Sequence, residues 1–385
     1  MRILMTTDTL GGVWNYALLL SGELAQFGIE VILATMGRAL SSAQRSQASQ
    51  ISNIQLREST YELEWMIDPW EQVREAGKWL LNLERQEKPD LIHFNNFVHA
   101  ALPFRTPKLV VAHSCVYSWW RAVHGQYPDF EWNHYYEQVQ AGLSAADLVV
   151  SPSQAMLDEL LSAYELQLPN TLVIANGTNI FRPESVDSPY SKESYIFSAG
   201  RLWDPAKNLS VLNNVAAYLS WPVFSAGSTE DPRGENVAYQ NVTLLGQLTT
   251  GQIAERYSEA AIFAHPALYE PFGLSVLEAA AAGCALVLGD ISSLRENWAD
   301  AAIFVNPRDE EELYGALDHL IRNERERREL GFKARSRAAD LSSAKMGAKY
   351  LLAYERLLMQ RAPAHVHQSE PKASKSDKEA KPCVF

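Results

Sequence analysis

The sequence predicts an α/β protein built from two similar halves, and three observations carry that reading. The chain has 385 residues, more than one ordinary hydrophobic core accommodates, so two domains are expected. Its first forty residues run strand, glycine turn, helix, strand. A polar, proline-bearing stretch, Arg182-Pro-Glu-Ser-Val-Asp-Ser-Pro-Tyr190, then interrupts the apolar pattern, and a second α/β cycle follows it.

Ile3-Leu4-Met5 reads as a buried strand, followed by Thr-Thr-Asp-Thr-Leu and Gly11-Gly12. Val13, Ala17, Leu20, Leu24 and Phe27 then recur at spacings of four and three, one stripe of a helix that Gly28 stops. Val31-Ile32-Leu33 is the next strand. This order implies a parallel sheet with a ligand crevice at the carboxyl ends of its strands. Gly11-Gly12 falls short of the full dinucleotide-binding fingerprint and says little alone. Leu91–Phe94, Leu109–Ala112, Leu148–Val150 and Leu172–Ile174 continue as buried strands. In the second half, Tyr195–Ser198 leads into Gly200-Arg201. Val223–Ser225, Val242–Leu245, Ile262–Ala264, Ala285–Leu288 and Ile303–Val305 follow as strands. A last helix is expected near Ala344 to Met359, with Leu351, Tyr354 and Leu358 on one face. The expected limits are a first domain over 1–182, a linker over 183–192 and a second domain over 193–342. A helix over 343–361 and a disordered, Lys- and Pro-bearing tail over 362–385 complete the chain.

Composition narrows the function. Apolar content of 47% and charged content of 21% are those of a soluble globular protein. A net charge of −12 argues against nucleic acid as a partner and gives no general attraction to anionic lipid. Cys115, Cys284 and Cys383 are too scattered for a disulfide framework or a zinc site. No run approaches the ~18 apolar residues of a transmembrane segment, and the first residues do not form a signal peptide. Cytoplasmic localisation is expected, with peripheral membrane contact left open.

The segment richest in chemistry is Glu270-Pro-Phe-Gly-Leu-Ser-Val-Leu-Glu278. It reads as a loop opening a short helix, with Leu274, Val276 and Leu277 on the apolar face and Gly283 as the stop. A helix N-terminus approached through Gly273 offers amides to an anion, with a carboxylate on either side. A sugar nucleotide needs that combination: diphosphate at the amides, hydroxyls at the acids. The plainer alternative is two solvated glutamates beside a helix. Arg201 and Lys207 supply a second cue. Loss of a nucleoside diphosphate from an anomeric carbon builds charge on the β-phosphate, and a guanidinium fork with an ammonium stabilises it without a metal.

These motifs, in this order over about 300 residues, resemble the retaining glycosyltransferases of family 4, the "group 1" class with GT-B architecture. The match rests on Gly11-Gly12, Ile174-Ala-Asn-Gly177, Gly200-Arg201 with Lys207-Asn208, and Glu270 to Glu278. The chain departs from the usual pattern at Ala175, where Pro is common, at Asn208, often Gly, and at Ile29, often His. The resemblance implies two Rossmann-like domains facing across a cleft, with the final helix crossing back to the first domain. It implies transfer of a sugar from a nucleoside-diphosphate donor to a carbohydrate or lipid-linked acceptor, with configuration retained and no cofactor or metal. Glu270 would act near the donor sugar and phosphate, Glu278 on the ribose. Phe272, Gly273 and Leu274 would meet sugar or phosphate through their amides, and Gly11 and Gly12 the diphosphate. His113, at the end of Leu109–Ala112, would contact the transferred sugar.

Seven of the ten tryptophans fall in the first 132 residues. Trp119, Trp120 and Arg121 come just after His113, on an expected acceptor-facing loop, where flat apolar faces with a polar edge suit sugars. Most of the others, Trp79 among them, are expected in the core. Two rival classes fit the same two-domain shape: a nucleotide-sugar epimerase or glycan phosphorylase, and a non-catalytic sugar-nucleotide sensor. An epimerase needs no acceptor, and a sensor would not need Arg201, Lys207, Glu270 and Glu278 together.

Overall fold

The computed structural model describes residues 1–179, 192–231 and 234–361. The expected tail at 362–385 lies outside them, as does the expected linker at 183–192 apart from Lys192. The first half contains strands β1 (Arg2–Asp8), β2 (Glu30–Met36), β3 (Ile54–Glu58), β4 (Leu91–Phe94), β5 (Lys108–Val111), β6 (Leu148–Ser151) and β7 (Thr171–Val173). Its helices are α1 (Gly12–Ala25), α2 (Ser42–Ser49), α3 (Trp70–Glu87), α4 (Val116–His124), α5 (Asn133–Ala145) and α6 (Gln154–Ala163). The strands pair in parallel in the order β3-β2-β1-β4-β5-β6-β7.

The second half repeats the plan with β8 (Glu193–Ala199), β9 (Val223–Ala226), β10 (Thr243–Leu244), β11 (Ala260–His265), β12 (Ala285–Gly289) and β13 (Ala302–Val305). Its parallel order is β10-β9-β8-β11-β12-β13. The helices are α7 (Leu209–Ala216), α8 (Thr250–Glu259), α9 (Leu274–Ala281), α10 (Ser292–Trp298), α11 (Glu310–Arg322), α12 (Glu324–Ala338) and α13 (Ser343–Arg361). Both sheets reverse direction of winding beside their first strand, between β1 and β4 and between β8 and β11. Those reversals open a crevice at the carboxyl edge, the usual ligand position in doubly wound sheets.

Each sheet is sandwiched between apolar clusters on its two faces. Leu4, Ile32 and Phe94 point to one side of the first sheet, and Ile3, Val31 and Leu33 to the other. The second face is closed by α13, which contributes Met346, Tyr350, Ala353, Tyr354 and Leu357. The last helix therefore belongs to the first domain's core, as the resemblance implies. Its buried seam is not the expected trio: Tyr354 is fully buried, but Leu351 and Leu358 are only partly covered. The seam runs 346, 350, 353/354, 357, about one position off, on the side of α13 that faces the first domain. Phe27 likewise leaves the α1 stripe. The helix ends at Ala25, Gly28 turns at φ +66°, and Phe27 is 44% exposed.

The chain crosses between domains twice at one point. Thr178 and Ser342 form a parallel bridge, with Thr178 N–H donating to Leu341 O at 3.1 Å and Ser343 N–H to Thr178 O at 3.2 Å. Gly177 sits against this crossing so closely that a Cβ would lie 2.5 Å from the Ser342 backbone. That contact gives the Ala175-Asn176-Gly177 motif a structural reason.

Candidate active site

The carboxyl edges of the two sheets face one another. A Cβ on Gly12, at the start of α1, would touch Leu274 Cδ1 at 3.9 Å, at the start of α9. Ser153 Oγ donates to Pro271 O at 2.7 Å, and Arg308 Nη2 donates to Ala122 O and Val123 O at 2.9 and 3.1 Å. Tyr269, from the second domain, accepts the Cys115 N–H with its hydroxyl at 3.3 Å.

Glu270 is the centre of the second domain's edge. Lys207 Nζ donates to its Oε2 at 2.6 Å, and His265 Nε2, from the last residue of β11, lies 3.1 Å from the same atom. Its Oε1 accepts the Gly273 N–H at 3.0 Å, and its carbonyl accepts the Ser293 hydroxyl. Burial alone would raise this carboxyl, but Lys207 and His265 overcome it and hold the group well below the ordinary range. The sequence expectation gave the Gly273 amide to a bound sugar or phosphate. The structure gives it to Glu270 itself, because φ of +88° at Gly273 folds the loop back onto the helix start. Phe272 is buried in the second domain's core, and Leu274 is partly buried against it. Glu278 lies one turn further along α9, where burial raises its carboxyl to about 7 against the pull of the neighbouring Tyr257 hydroxyl.

Arg201 lies two residues beyond β8, after Gly200. Its Nη2 donates to Asp204 Oδ2 at 2.8 Å and its guanidinium lies 5.4 Å from the Trp203 ring centre. The side chain is 43% exposed, leaving the remaining N–H groups on the cleft side of this pairing open to a ligand. Asp204 is almost fully buried, and its other oxygen accepts the Ala206 N–H and the Trp119 indole N–H, each at 3.0 Å. Trp119 therefore spends its polar edge on the opposite domain. Trp120 packs on His124 and Trp132, with ring centres 4.8 and 6.2 Å away, and Arg121 Nη1 donates to the Tyr127 hydroxyl at 3.3 Å. All three lie on α4 beside the cleft, on a helix rather than the expected loop.

On the first domain's edge, Gly11 is the N-cap of α1 and has no atom within 4 Å of where a Cβ would stand. Asp8 ends β1; burial raises its carboxyl, while the Leu10 N–H at 3.1 Å and the charge of Arg201 across the cleft lower it. His113 Nε2 lies 2.7 Å from Asn95 Oδ1, and the Tyr16 ring meets the imidazole edge-on at 4.5 Å. Burial pushes His113 down to about 3, so it is a neutral imidazole at physiological pH.

The structure thus brings Arg201, Lys207 and Glu270 to the β8/β11 reversal and His113 to the facing edge, with Gly11 and Gly12 between them and Trp119 at the rim. Sequence reasoning missed Asp8, Asn95, Asp204 and His265. Two of these were findable: Asn95 and His265 directly follow the expected strands Leu91–Phe94 and Ile262–Ala264, at the carboxyl ends where crevice residues belong.

Two doubly wound domains with cationic and acidic side chains gathered at opposed carboxyl edges define a protein with a candidate ligand site in an interdomain cleft. Comparison with known proteins gives the class a family. Glycosyltransferase Family 4 matches residues 10–182 and Glycosyl transferases group 1 matches residues 187–337, so together they leave only 183–186 uncovered between 10 and 337. The chain belongs to the group 1, family 4 glycosyltransferases of GT-B fold. It is 23% identical over 269 residues to the serotype-specific mannosyltransferase WbdA of Escherichia coli, covering 63% of this chain and 33% of that protein. It is 26% identical to the alpha-maltose-1-phosphate synthase of Mycolicibacterium smegmatis, covering 63% of this chain and 70% of that one. The chain thus spans about a third of the length of the first relative. The sucrose-phosphate synthase (tll1590) of Thermosynechococcus elongatus shares its fold, with a TM-score of 0.77 at 19% identity over 94% of this chain and 100% of that one. No helix among the described residues is long and apolar enough to cross a membrane.

Proposed function

We propose that this glycosyltransferase moves a hexosyl group from a nucleoside-diphosphate sugar to a hydroxyl of a carbohydrate or lipid-linked acceptor, retaining the anomeric configuration. The observation that carries the reading is the Lys207–Glu270–His265 cluster at the β8/β11 reversal, opposite the Gly11-Gly12 turn. The donor lies mainly against the second domain. Arg201 and Lys207 meet its diphosphate with the Gly11 and Gly12 amides, and the amides of Phe272 and Leu274 lie next to the sugar. Glu278 takes the ribose hydroxyls. His113 and the α4 rim face the transferred sugar and the acceptor.

In the reaction the bond between the anomeric carbon and the β-phosphate oxygen breaks, and the acceptor oxygen bonds the same face. The acceptor's proton passes to the departing phosphate. The Arg201 guanidinium and the Lys207 ammonium, which has two N–H donors beyond the one given to Glu270, stabilise the charge left on that phosphate. No metal or organic cofactor is required in this scheme. Incubation with a panel of nucleotide sugars, with and without EDTA, tests it by release of nucleoside diphosphate. NMR of the anomeric proton in the product then reports configuration. Release that depends on added magnesium or manganese, or an inverted product, would overturn the scheme.

A further inference from the structure

The first domain carries a hydrogen-bonded chain of buried polar groups that links the last helix to the cleft, and the carbonyl acceptors along it give its bonds a direction. Asn95 follows β4. Its Nδ2 lies 2.7 Å from the Thr6 carbonyl oxygen, which can only accept, so the amide nitrogen faces Thr6 and Oδ1 faces the other way. The Asn95 N–H also donates to Thr6 Oγ1 at 2.9 Å, so strand β1 holds the residue at two points. Oδ1 then meets two imidazoles, His113 Nε2 at 2.7 Å and His93 Nε2 at 3.2 Å. A carbonyl oxygen accepts and never donates, so both Nε2 atoms donate to it; the Tyr16 hydroxyl, 3.4 Å from His93 Nε2, is the longer contact and accepts there.

Both rings are neutral, since burial lowers each to about 3. A neutral imidazole with its proton on Nε2 has a bare Nδ1. For His93, that Nδ1 lies 2.8 Å from the Tyr354 hydroxyl on α13, which must therefore donate to it. For His113 it leaves an acceptor. The Tyr16 ring, edge-on at 4.5 Å, restrains the His113 imidazole from turning over.

We propose that Asn95 is a positioning residue which, with Tyr354 of the last helix acting through His93, locks His113 in the Nε2–H tautomer and reserves its Nδ1 to accept a hydroxyl of the transferred sugar. The proposal rests on the reading that His113 contacts that sugar. It adds the reason a histidine serves there: an acceptor-only nitrogen selects a hydroxyl donor and stays uncharged beside a departing anion. It also makes the seating of α13 a condition for a correctly prepared cleft.

The test is ¹⁵N-histidine labelling of the full chain and a long-range ¹H–¹⁵N correlation spectrum at neutral pH, with His93→Gln and His113→Gln assigning the signals. The expected result is the Nε2–H pattern for both rings, and an Nδ1–H pattern at His113 overturns the proposal. Asn95→Ala should leave His113 as a mixture of tautomers. An unchanged His113 pattern in Asn95→Ala is the second overturning result. With the donor that the wild type cleaves, Asn95→Ala should lower kcat by about tenfold, the value of one lost hydrogen bond, with little change in KM. Unchanged turnover in His113→Ala would instead count against the sugar-contacting role of His113, while the tautomer result bears on the network alone.

Discussion

Glu270 and Glu278 are the same side chain in opposite electrostatic settings. Lys207 and His265 keep Glu270 ionised, whereas burial holds Glu278 near 7, poised between states. If Glu278 binds ribose, the carboxylate is the better acceptor. A raised pKa means the proton stays on through mildly acidic pH and leaves as pH rises through 7, so nucleoside-diphosphate affinity should rise from pH 6 to 8. Calorimetry should show Glu278→Gln losing the part of that rise beyond the nucleotide's own titration, while Glu270→Gln keeps it and loses transfer instead. Equal affinity loss in both variants would contradict separate roles. Arg201→Ala and Lys207→Ala should each lower turnover by about 10²-fold or more, with a smaller effect on donor binding, because the charge they meet develops in the transition state. Steady-state kinetics showing near-normal kcat in both would sink the clamp. These four residues were legible in the sequence because each carries charge at a spacing that chemistry explains. Their partners were less so. Asn95 and His265 each follow an expected strand, but Asp204 gains meaning only from what it touches, and nothing in a one-dimensional pattern distinguishes it from a turn residue.

At the scale of elements, parallel strands were the easiest to read, since strands buried on both faces appear as continuous apolar runs. β3 escaped because Ile54-Gln55-Leu56-Arg57-Glu58 alternates at an edge and lacks such a run. Helix α4 shows a different limit. Its aromatic content suggested an acceptor surface, but Trp119 turns its indole N–H to Asp204 in the other domain, the carboxylate that also holds Arg201. A helix of the first domain and a guanidinium of the second thus share one buried anion. Trp119→Phe keeps the ring and removes the donor. We expect a stability loss of about 1–2 kcal/mol in denaturant melts, as for a buried acceptor losing one partner. Turnover should fall as well, since Asp204 is then free to draw Arg201 inward. Unchanged stability together with unchanged turnover would show that the bond couples nothing.

At the scale of the whole molecule, the first and the last described elements, β1 and α13, lie in the same domain. The crossing at Thr178 and Ser342 sends α13 back onto α1, where Ser343 Oγ donates to Glu23 Oε1 at 2.6 Å and Gly347 lets the helices approach until a Cβ would stand 2.7 Å from Glu23. Removal of α13 should therefore damage the first domain more than the second. Residues 1–179 expressed alone should bind a hydrophobic dye such as ANS and melt without a sharp transition, and a synthetic 343–361 peptide added in trans should suppress both effects. A cooperative melt without the peptide would refute the dependence. During synthesis, this arrangement sets a delay. The first domain emerges from the ribosome while α13, which shares one side of its sheet with α1, is still some 160 residues from being translated, so that side is only partly covered until the entire second domain has been made. A nascent chain in that interval offers a broad apolar face to chaperones. Arrival of the final helix both ends the exposure and joins the two lobes.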